Sequence, residues 1–168
     1  MTDAARAVSA ELIAVLVAVT AARPRVLAIQ DGRALPSGPF ELGHRSLQSG
    51  LRAWVEQQTH HPLGYVEQLY TFADRDRARG DGRQAISISY LGLTREVEAA
   101  GATQASWRDW YAYFPWEDHR SGPPDMIAEA IEPRLRDWAG TGAEPASREE
   151  RRQRDAIPFG LDGRPWNE

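Results

Sequence analysis

The sequence predicts an α+β domain, a mixed β-sheet carrying α-helices. Three observations lead there. Runs rich in β-branched residues are bounded by polar, Gly-containing turns. Two other segments repeat apolar residues at helical spacing. The order is β-β-helix-β-β-β-helix, which is neither all-β nor a regular alternation of strand and helix.

The first strand is "ELIAVLVAVT" (11–20). Ile13, Val15, Val17 and Val19 recur at every second position, and β-branched side chains suit a pleated surface. It reads as a central strand. "RVLAIQDGRALP" (25–36) holds a second, short strand ending at the hairpin signal Asp31-Gly32. A helix follows, with Leu47, Leu51, Trp54 and Val55 on one stripe, Ser46 as its N-cap and Gly50 weakening its first turn. "YVEQLYTFA" (65–73) and "AISISYLGLT" (85–94) flank the charged "DRDRARGDGRQ", which predicts a hairpin with a long tip. "ASWRDWYAYFPWED" (105–118) is an aromatic strand or irregular segment stopped by Pro115. The last helix lies in "PPDMIAEAIEPRLRDWAG" (123–140), with Ile127, Ile131, Leu135 and Trp138 as its face. Its acids lie early, its arginines late, and Pro133 should kink it. From 141 the composition turns polar, so 1–140 reads as the domain and 141–168 as a linker or tail.

Composition narrows the function. With 168 residues, 42% of them hydrophobic, the chain has enough apolar material for one core. The absence of cysteine excludes disulfides, thiolate zinc sites and a cysteine nucleophile. A net charge of -4 disfavours nucleic-acid binding by this segment alone. All the basic residues are arginine, a usage that fits a GC-rich genome better than a function. The longest apolar run (12–19) is too short to cross a bilayer, and Asp3 and Glu11 flank it where a signal peptide carries basic residues. A cytoplasmic location without membrane attachment is the expectation. No Walker loop, dinucleotide glycine fingerprint or serine-histidine-aspartate spacing is present.

The stretch "GPFELGHRSLQSGLRAWVEQQT" (38–59) joins a tight loop to an amphipathic helix. It resembles the Nudix family pattern of Gly, five residues, Glu, seven residues, then Arg-Glu-apolar-any-Glu-Glu-any-Gly-apolar. Gly38, Arg52, Trp54 and Glu56 agree with it, whereas His44, Ala53, Gln57 and Thr59 depart. In that family the helix glutamates hold magnesium, which neutralises a diphosphate and activates water. A second resemblance is more specific. Glu67 to Phe72, then Asp74 and Arg77, then Ser87, Tyr90 and Leu91 look like successive elements of the Nudix-related regulators of NAD metabolism. The likeness covers roughly 12–140. It implies a Nudix fold, with the mixed sheet sandwiched between helices. It also implies a homodimer, a ligand such as ADP-ribose, and DNA contact only through a C-terminal winged-helix domain that this chain lacks.

The candidate ligand residues are Gln68, Tyr70 and Phe72, read as one face of a strand, together with Tyr90 and the arginines Arg75, Arg77 and Arg83 of the loop. Aromatic rings stack on a base, and guanidinium forks match diphosphate oxygens. The candidate metal residues are Glu56, Glu41 and His44; no cofactor is required, and Mg2+ would enter only if the site is retained. Bland readings stand beside these: an Arg52–Glu56 surface ion pair, a solvated charged tip, and core or dimer packing for the aromatic cluster of Trp107, Trp110, Tyr111, Tyr113, Phe114 and Trp116. The leading expectation is a non-catalytic, nucleotide-sensing domain. One alternative is a divergent hydrolase rebuilding its metal site from Glu41, Glu56, Glu67 and Glu96 or Glu98. The other is a protein-interaction module.

Overall fold

A twelve-residue strand, β1 (Ser9–Thr20), organises the sheet, in the computed structural model that describes residues 9–73, 85–97, 105–142, 144–161 and 163–164. The chain divides into two compact units, Met1–Ala112 and Tyr113–Glu168.

In the first unit Ser9–Val17 of β1 pairs with the whole of β5 (Ala85–Leu93), in parallel. Its other edge is shared. β3 (Ser37–Pro39) takes the N-terminal half and β2 (Arg23–Ala28) the C-terminal half, both antiparallel. β4 (Glu67–Phe72) pairs with β5 and β6 (Ser106–Asp109) with β2, so the order is β4-β5-β1-β2-β6, with β3 beside β2 on β1, in a six-stranded mixed sheet. A single helical turn, α2 (Trp110–Tyr113), follows β6. The expected strands and the β4–β5 hairpin are there. β3 is an addition, a three-residue strand that looks like turn sequence.

β1 and β2 are joined by Ala21 and Ala22, both left-handed with φ of 50° and 58°. That is the conformation of a two-residue hairpin loop, which normally selects Asn and Gly. The Asp31-Gly32 signal marks a second turn, closed by the bridge between Ile29 and Ala34.

The core lies between one sheet face and helix α1 (Leu47–Thr59). Leu12, Ala14 and Leu16 of β1 meet Leu51 and Val55 of α1, with Leu27, Val66 and Tyr90 around them. The β-branched set Ile13, Val15 and Val17 faces the opposite way, and Val19 is exposed. Strand alternation was legible, but both faces of β1 are apolar, so alternation alone could not say which face meets the helix.

In the second unit the expected kink at Pro133 takes the form of a π turn, Ile127–Ile131, leading into α3 (Glu132–Gly140). The Glu132 amide donates to Ile127 O, five residues back. Proline lacks an amide and crowds the preceding turn, and a wide turn relieves both problems. The inserted residue also shifts the helix phase. Ala139 is the buried residue, while Trp138, expected on the inner face, is exposed with Arg151 stacked over its ring at 4.6 Å. Within the tail expected as linker, Pro145–Ala156 forms α4, which packs on α3. No helix among the described residues is long and apolar enough to cross a membrane.

Candidate functional site

The loop and helix from Gly38 to Thr59 are fitted to the sheet by side chains that the sequence pattern alone does not explain. The Trp54 ring lies on Gly38, where an added Cβ would sit 2.3 Å from ring carbons, and Trp54 Nε1 donates to Pro39 O at 2.9 Å. Near the C-terminal end of α1 (Leu47–Thr59), the Gln58 amide pairs with Ser37 of β3: Ser37 N donates to Oε1 (3.1 Å) and Nε2 donates to Ser37 O (2.8 Å). Ser46 and Ser49 exchange capping bonds at the N-terminus of α1, as the sequence predicts for Ser46. Gly50 has a packing reason too, since a Cβ there would stand 2.7 Å from His44 Nδ1 and 3.0 Å from Leu12 Cδ1.

The candidate metal residues do not converge. Among the described residues, no three His, Asp or Glu side chains form a group able to hold a metal. His44 instead packs between Phe40 and Trp54, with ring centroids 5.8 and 6.4 Å away. Its Nδ1 accepts from the Glu41 backbone amide at 3.1 Å, which engages that nitrogen's lone pair. Glu56 is exposed. Arg52 does not pair with it but donates to the Leu63 and Gly64 carbonyls, fastening the loop after the helix. Ala53 has no ligand atom, and buried Thr59 turns its hydroxyl back to Val55 O at 2.7 Å. These residues do not fit a magnesium site of the Nudix type.

The candidate ligand strand is rearranged by a β-bulge. Gln68 lies opposite Tyr90 and Tyr70 opposite Ser89, with Leu69 as the extra residue. The bulge reverses the alternation expected for β4 (Glu67–Phe72), so Gln68 and Tyr70 lie on opposite faces. Gln68 shares a face with Thr71, to which its Nε2 donates at 3.0 Å, and with Tyr90. Tyr70 and Phe72 share the other face with Ser87 and Ser89, their ring centroids 4.7 Å apart. Ser89 fills the gap in the ladder: its Oγ accepts from Tyr70 N and donates to Tyr70 O. Tyr70 is 60% exposed, whereas Tyr90 is only 3% exposed and belongs to the core, where burial pushes its phenol pKa up. Tyr90 is therefore a packing residue. Arg75, Arg77, Arg83 and Glu98 lie outside the described residues.

One cluster has no motif to announce it. His61 is 7% exposed, its Nε2 lies 3.0 Å from Thr94 Oγ1, and its ring meets Trp107 edge-on. Desolvation lowers its pKa below the ordinary histidine value. Trp107, from the aromatic cluster, packs on the core and donates Nε1 to Val97 O. A lone histidine between a helix end and Pro62 carries no periodic signal.

No protein-family model matches the chain, and no curated protein matches it in sequence. Solved structures do. The Nudix domain of Shewanella oneidensis NrtR, crystallised with ADP-ribose, aligns with a TM-score of 0.56 at 18% identity, over 81% of this chain and 92% of that one. Shewanella oneidensis NrtR itself aligns at 0.53 and 19%, over 78% of this chain, which spans 65% of that one. A MutT/Nudix family protein from Enterococcus faecalis aligns at 0.50 and 21%, over 61% of this chain and 44% of that one. The fold is the Nudix fold.

Proposed function

We propose that this Nudix-fold chain binds an ADP-ribose-like nucleotide derived from NAD without hydrolysing it, as the sensing part of a regulator of NAD metabolism. The observation that carries the reading is α1 (Leu47–Thr59), whose caps and attachments to the sheet are intact while two of the three helix glutamates of the family pattern are replaced and only Glu56 is kept. Ala53 and Gln57 stand where the family has glutamate, and Thr59 is turned into the protein. A Nudix scaffold left with one of its three helix glutamates is suited to holding a ligand, not to cleaving it.

The exposed surface best suited to a base is the Tyr70–Phe72 ring pair. Phe72 ends β4, so the arginine-rich segment begins within two residues of this pair, and we assign Arg75, Arg77 and Arg83 to the diphosphate. The bulge removes Gln68 from that stacking face. Support also comes from the similar Shewanella oneidensis domain, which was crystallised with ADP-ribose. A sensing role further requires the ligand to bind one arrangement of a dimer, or of an attached DNA-binding domain, more tightly than another.

Calorimetric titration with ADP-ribose in magnesium, followed by chromatography of the recovered ligand, tests this. Saturable binding with intact ligand is the expected result. Recovery as AMP and ribose phosphate would replace the reading with a hydrolase, and no binding would leave a protein-interaction module.

A further inference from the structure

The second unit holds a feature with no part in the nucleotide reading. Helices α3 (Glu132–Gly140) and α4 (Pro145–Ala156) border a cavity of about 420 Å3, a volume that takes a small molecule. Leu135 and Ala139 line it from α3, Ala156 from α4, and Leu161 from the turn beyond. The space persists because two inward positions are alanines, Ala139 at 1% and Ala156 at 2% exposure, whose methyl groups cannot fill it.

The charged lining is unevenly satisfied. Glu132 pairs with Arg136 along α3, and Arg152 lies 4.0 Å from Glu149 along α4. Asp155 differs: its Oδ2 is buried and has no hydrogen-bond partner among the described residues. A buried carboxylate oxygen without a donor is destabilising, and a donor arriving in the cavity relieves that penalty.

We propose that the α3–α4 cavity binds a small aliphatic cation, an ammonium or guanidinium group on a short hydrocarbon stem. The head donates to Asp155 Oδ2 and the stem lies along Leu135, Ala139, Ala156 and Leu161. An anion is disfavoured, because both lining guanidiniums already have acidic neighbours and Asp155 repels it.

The test uses the full chain, isotope-labelled, titrated with n-butylammonium and, separately, with n-butanol, while amide resonances are followed by NMR. Saturable shifts at Ala139 and Ala156 are expected with n-butylammonium. Asp155→Asn should weaken that binding about tenfold or more, the factor a charge-assisted hydrogen bond supplies, and n-butanol should bind as weakly to the unaltered chain. Ala139→Leu keeps the carboxylate but fills the space, and should abolish the shifts. Equal binding of butanol and butylammonium, unchanged affinity in either variant, or no saturable shift would overturn the proposal. Asp155 Oδ2 would then be met by water.

Discussion

Replacing Gly38 with alanine separates two explanations for a glycine at the head of the loop–helix. One is space for a ligand; the other is space for Trp54. Gly38 lacks the positive φ that would demand glycine, so its backbone gives no reason for it. An alanine Cβ would lie 2.3 Å from two Trp54 ring carbons. Carbon contacts are best at about 3.5–4.0 Å, so the ring must retreat by roughly 1 Å or more. That retreat draws Nε1 away from Pro39 O, now at 2.9 Å. Overpacking of this kind costs about 1–3 kcal/mol and a lost hydrogen bond about 1 kcal/mol, so the expected destabilisation is about 2–4 kcal/mol. Urea unfolding measures it as a fall in the midpoint at constant slope. In a Trp54→Ala background the clash is gone, and Gly38→Ala should then cost less than about 0.5 kcal/mol. An equal cost in both backgrounds would refute the packing explanation.

Three further outcomes are expected. Tyr70→Ala and Phe72→Ala should each weaken ADP-ribose binding about tenfold by calorimetry, the scale of a lost base–aromatic stack, while Gln68→Ala on the other face changes it little. Replacing Ala21-Ala22 with Asn-Gly should raise stability by about 1 kcal/mol in urea unfolding, since the left-handed conformation strains alanine. His61 has a lowered folded pKa, so the unfolded chain takes the proton first as pH falls. Its contribution is therefore complete above the ordinary value of 6.5 and is lost progressively below it, towards the depressed folded value. Urea midpoints of the wild type and His61→Gln, compared across that interval, should differ in slope; parallel curves would contradict the assignment.

Local chemistry made some of the structure legible and tertiary context hid the rest. Ser46 was readable as a cap because a cap is decided by a few neighbouring atoms. The β4–β5 pairing followed from two β-rich runs around a polar tip. β3 (Ser37–Pro39) was hidden, because Ser-Gly-Pro has no strand propensity and is held by β1 and the Gln58 amide. The bulge at Leu69 depends on Ser89, a strand away, and so the partition of Gln68 from Tyr70 could not be read from alternation. Pro133 marked the place of the irregularity but not the π turn, nor the shift of the inward position from Trp138 to Ala139. α4 was obscured by its charges; it turns Ala156 inward and leaves most of its charged residues exposed.

The long parallel pairing of β1 with β5 also bears on how this chain reaches its structure. The β1–β2 hairpin closes through two residues and can form early, at little cost in chain entropy. The β1–β5 ladder joins strands separated by everything from β2 to β4, so its closure restricts a large part of the first unit at once. Relieving the strained Ala21-Ala22 turn should therefore accelerate refolding. Weakening the ladder at Leu91 should slow refolding, since closing it carries the entropic cost of the long intervening chain.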